Sequence, residues 1–144
     1  MLMNDKQVAV NDVILRLREA ADHYAHAARA IENEHLAGRF ADRGRSLADL
    51  AAGLESHIRR LGELPRRPDP EREALEEMLM RLGAGITADE RSRHIHALRR
   101  REEAIEEAAD AALRQPLPED TLAEMRRIRD FARDFEVRDA GTAE

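Results

Sequence analysis

The chain has 144 residues, 38% of them charged and 42% apolar, with a formal net charge of -6, one tyrosine, three phenylalanines and no tryptophan. So large an aliphatic fraction excludes a disordered chain, and the acidic balance argues against a nucleic-acid footprint. The absence of cysteine excludes disulfides, thiol catalysis and thiolate metal sites together.

The first predicted helix runs from about Asp5 to Ile31, opened by a capping box of Asn4 and Gln7. Val10, Val13, Leu17, Ala20, Tyr24, Ala27 and Ile31 form its apolar seam, widened by Ile14, Ala21 and Ala28. Glu19, Asp22 and His26 fall off that seam and are expected to point outward. Glu32-Asn33 breaks the helix, with Asn33 as the next N-cap, and so short a joint makes an antiparallel hairpin. Helix two, about Glu34 to Leu61, buries Leu36, Phe40, Leu47, Leu50, Leu54, Ile58 and Leu61. Arg43 lies inside this stripe, His57 lies at its edge, and Gly62 caps the end.

Pro65, Pro68 and Pro70 keep the next segment out of a helix. A short crossover helix is predicted over about 70–82, with Leu75, Met78, Leu79 and Leu82 on one side. With its extended lead-in it spans about 45 Å, the length of the bundle. A long helix follows from Thr87, boxed by Glu90, to Arg114, stopped by Pro116 and Pro118. Its inward stripe reads Ile95, Leu98, Glu102, Ile105, Ala109, Ala112, which places a carboxylate where a bundle helix wants an apolar side chain. The last helix runs to about Arg138 and presents Leu122, Met125, Ile128, Ala132 and Phe135, leaving a frayed tail over 139–144. Four long helices, short loops within each pair and one long crossover predict an all-α, single-domain, ferritin-type up-down four-helix bundle.

The stretches Asn11-Asp12-Val13-Ile14-Leu15, Ile31-Glu32-Asn33-Glu34-His35-Leu36 and Arg101-Glu102-Glu103-Ala104 resemble a small bacterial ferritin-like family of unknown function, related to rubrerythrin and ferritin. The resemblance spans about residues 8 to 137. It implies the same bundle, with the short helix in the crossover, and implies no reaction.

A di-iron bundle needs a glutamate from two helices and Glu-x-x-His from the other two. Only Glu102 stands in place. Helix one offers no inward carboxylate, and Glu124-Met125-Arg126-Arg127 has arginine where histidine belongs. The weak metal candidates are therefore His57, His94, Glu102 and Glu124, with His23 and His26 as a surface pair three residues apart. A buried neutral histidine is the alternative account of His94. No nucleophile stands beside a base, so neither catalysis nor a cofactor is expected. Arg99-Arg100-Arg101 and Arg126-Arg127 interleave with glutamates and read as solvated ion-pair faces.

The reading is a non-enzymatic bundle acting through self-association, as a dimer, or through a protein partner. The alternative is a degenerate metal-binding or redox relative. With no signal segment and no long apolar run, a cytoplasmic location is expected and membrane insertion is not. Leu15 and the run Met78-Leu79-Met80 are the expected self-association surface. Glu102 is expected to be buried and met by Arg43 and Arg129, because a buried carboxylate without a partner costs several kcal/mol. Arginine suits that role as a permanent charge with a bidentate fork.

Overall fold

A computed structural model describes residues 4–62 and 88–135, which form four α-helices: α1 (Asp5–Ala30), α2 (Glu34–Arg60), α3 (Ala88–Leu113) and α4 (Glu119–Arg133). The predicted crossover helix, the Thr87–Glu90 box and the C-terminal tail lie outside the described residues.

Local chemistry sets the helix ends. Asn4 and Gln7 form the reciprocal capping box that opens α1. The Gln7 amide also donates to the Leu61 carbonyl at 2.6 Å, so the start of α1 closes the end of α2. Asn33 caps α2 by accepting from the Leu36 N–H at 2.9 Å. Gly62 follows α2 with φ +84°, a left-handed conformation that glycine adopts without penalty. The last helix ends at Arg133, five residues before the predicted boundary. Its final turn tightens as the Phe135 N–H bonds to Ala132. The Phe131 carbonyl accepts from the Asp134 N–H at 3.2 Å and, where a longer helix would supply the Phe135 N–H, from an arginine on α2.

Every residue of the predicted α1 seam is buried, and so are all six of the α3 stripe, Glu102 included. Helix α1 packs against α2 and α3, and α3 packs against α4, while α2 and α4 meet more sparingly. Side-chain pairs give the directions. Arg60 reaches Asp120 at one end of the α2–α4 pair and Arg43 reaches Phe131 at the other, so these helices are antiparallel. Helices α3 and α4 pack along each other across a joint of only five residues, 114–118, which makes that pair antiparallel as well. Consequently α2 and α3 run in one direction, and the end of α2 lies at the opposite end of the bundle from the start of α3.

Two predicted outward residues are not outward. Glu19 is 11% exposed and lies between α1 and α3, and His23 is 9% exposed, so His23 and His26 form no surface pair. Both stand with Arg16 on a row that flanks the seam. A helix with two neighbours is covered over a wider arc than one heptad seam predicts. Leu15 is half-buried and does not stand free on an outer face.

Candidate functional site

The centre of the bundle is built around Glu102. The α3 stripe aims it inward between Leu98 and Ile105, and its side chain is 2% exposed. The Tyr24 hydroxyl of α1 donates to Oε2 at 2.9 Å, and the Arg43 Nε of α2 donates to the same oxygen at 2.7 Å. Oε1 has no hydrogen-bond partner among the described residues.

Arg43 does more than neutralise the carboxylate. Its Nη2 donates to the Phe131 carbonyl at 2.7 Å, and its guanidinium lies 3.8 Å from the Phe131 ring centroid and 5.9 Å from that of Phe135. One side chain of α2 thus binds the carboxylate of α3 and caps the C-terminal end of α4, where a cation also answers the helix dipole. Tyr24 meets Phe40 and Phe135 edge-on, with ring centroids 5.7 and 6.5 Å away. All four aromatic residues of the chain therefore gather at this one level of the bundle.

Close helix approach makes room for the group. At Gly44 an added Cβ would lie 3.0 Å from Tyr24 Cβ and 3.3 Å from the Ala21 carbonyl oxygen. That contact draws α1 and α2 together one residue from Arg43.

Burial dominates the electrostatics. It raises the Glu102 pKa above the ordinary 4.5 despite the opposing pull of Arg43 and Tyr24. Burial also raises the Tyr24 pKa, assisted by the neighbouring Glu102 charge. Tyr24 therefore remains a neutral donor.

The other candidate ligands do not converge on Glu102. Arg129 turns away from the centre, its Nε 3.3 Å from Asp130 Oδ1, because it follows Ile128 and points a third of a turn off the inward stripe. Glu124 pairs with Arg127 at 2.9 Å and stands beside Gly53, about 15 Å along α2 from Arg43. His57 lies about 21 Å from Arg43 along the same helix. Its Nδ1 is 2.7 Å from Thr121 Oγ1 and 2.6 Å from Arg60 Nη2. Arginine only donates, so Nδ1 accepts and the ring proton sits on Nε2. Arg60 also donates to Asp120 at 2.7 Å, and this hydrogen bond holds the Asp120 carboxyl below its usual range. His94 is half-buried, eight residues before Glu102 and about 12 Å along α3. Among the described residues, no group of three histidine, aspartate or glutamate side chains is arranged to hold a metal.

Sequence reasoning missed Tyr24 as a polar partner, since its position on the seam reads as core. It also missed Phe131, which sits outside the α4 stripe. No family model, curated protein or solved structure matches this chain. Among the described residues, no helix is long and apolar enough to cross a membrane.

Proposed function

We propose that this chain is a non-enzymatic, ferritin-like helical bundle of the cytoplasm that works through its surface, as a homodimer or with a protein partner. The observation that carries this reading is the Arg43 guanidinium seated on Glu102. The carboxylate that a metal-dependent bundle would offer to a cation is engaged by a cation of the chain itself. The remaining candidate ligands are held in separate contacts at other levels. Parallel α2 and α3, joined by a long connection, support the ferritin-type topology.

The described surface is charged, and Val8, 44% exposed, is its one exposed large apolar residue. The apolar run Met78-Leu79-Met80 supplies the sequence argument for self-association. Sedimentation velocity on the untagged full chain at high micromolar concentration tests it. A dimer is expected, and a monomer removes self-association. Elemental analysis of the same protein after incubation with ferrous iron tests the interior. Less than stoichiometric metal is expected, and one iron or manganese per chain would overturn the reading in favour of a metal-dependent relative.

A further inference from the structure

The Arg99-Arg100-Arg101 run is not wholly the solvated ion-pair face its spacing predicts. Arg101 turns toward α1, with Nη1 3.7 Å from Glu19 Oε2. Arg99 and Arg100 are exposed and form no ion pair among the described residues, and the same holds for His96, Glu103 and Glu107. Elsewhere on the surface arginines find carboxylates within the chain: Arg45 with Asp42, Arg126 with Glu119, and Arg127 with Glu124.

The unspent groups of α3 share one line and are sorted along it by sign. His96, Arg100, Glu103 and Glu107 follow spacings of 4, 3 and 4 on its outer face, basic toward the start and acidic toward the end. Within a single helix that order gains little. Glu103 and Glu107 repel at i,i+4, and Arg99 precedes Glu103, the weaker order for such a pair.

Two such helices laid antiparallel use the same order fully. Measured from the midpoint between positions 101 and 102, Arg100 and Glu103 stand about 2 Å to either side, and His96 and Glu107 about 8 Å. Arg93 and Asp110 follow at about 13 Å, Asp110 being also 3.7 Å from Arg133. A two-fold axis at that midpoint sets each basic group opposite a carboxylate, and every contact occurs twice. Two chains of net charge -6 repel overall, and a face on which the signs cancel in pairs lets them approach.

We infer that the outer face of α3 is the contact with a second copy of this chain, antiparallel across a two-fold axis, with Arg100 of each copy against Glu103 of the other. This rests on the self-association proposed above and adds its surface and register. Complementary charge of this kind fixes orientation and partner choice and makes association sensitive to salt.

Sedimentation velocity on the untagged full chain, at low and at high salt, tests the face by charge reversal. Arg100→Glu alone and Glu103→Arg alone each set like charges together twice per dimer, and each is expected to weaken dimerisation at least about tenfold. An equimolar mixture of the two variants is expected to recover a salt-sensitive dimer, because each reversed face meets its complement across the axis. Both positions are exposed, and arginine and glutamate are comparable helix formers, so the variants fold, as circular dichroism checks. If a single variant does not fold, the chain carrying both reversals decides: it is expected to dimerise as the parent does, and a monomer overturns the interface. Single variants that dimerise like the parent, or a mixture that stays monomeric, overturn this interface and leave self-association through another surface standing. A monomeric parent chain removes both.

Discussion

Glu102 shows how a buried charge is carried in a small core. Desolvation penalises it, and Arg43 and Tyr24 return part of the cost through two hydrogen bonds to one oxygen. Glu102→Ala strands Arg43, which is only 19% exposed, and is expected to cost roughly 3 kcal/mol by urea unfolding. Replacing Glu102 and Arg43 together with leucine removes both desolvation penalties but leaves the buried Tyr24 hydroxyl without its acceptor and the Phe131 carbonyl without its arginine, so a cost of about 1–2 kcal/mol, below that of Glu102→Ala, is expected in the same assay. The pH dependence has a definite sign. A carboxyl whose folded pKa is raised binds its proton more tightly in the fold than in the open chain. Its contribution is fully present below the unfolded value and is lost as pH rises through the folded one. Glu102→Gln lacks this titration, so the variant is expected to gain stability relative to the parent as pH rises from 4.5. Melting temperatures of the two proteins across that range check the direction.

Helix ends and crossings carry the next level of control. The Asn4–Gln7 box, the Asn33 cap and the positive-φ Gly62 were all legible in the sequence, because each uses residues within four positions of its own helix end. The end of α4 was not legible: the group that caps it, Arg43, lies 88 residues away in the chain. Two glycines of α2 separate propensity from packing. Gly38 has nothing within 4 Å of an added Cβ, so Gly38→Ala is expected to stabilise by about 0.5–1 kcal/mol, the ordinary helix gain. Gly44→Ala makes the same local gain but drives a Cβ against Tyr24 Cβ and the Ala21 carbonyl, neither of which is a flexible chain end. It is expected to destabilise by about 1 kcal/mol net, and equilibrium unfolding of the two variants side by side measures the difference.

For the whole molecule, the apolar periodicity determined the four helices, their inward faces and the burial of Glu102, since a 3.6-residue repeat needs only local spacing to be read. The chain's sequence likewise marked Arg43 as a cation within a buried stripe. Tertiary structure alone decided between Arg43 and Arg129 as the partner of Glu102. Both lie at compatible heights along their helices, and the choice turns on helix rotation, which one strand of heptad spacing leaves open by tens of degrees. It also decided that Glu19 and His23 are covered, because α1 carries neighbours on two sides and the sequence marks one seam. The gathering of every aromatic residue around Arg43 belongs to the same class. Tyr24, Phe40 and Phe131 come from three helices and Phe135 from the residues just after α4, up to 111 positions apart in the chain, so only the packing of α1, α2 and α4 against one another brings their rings to one place.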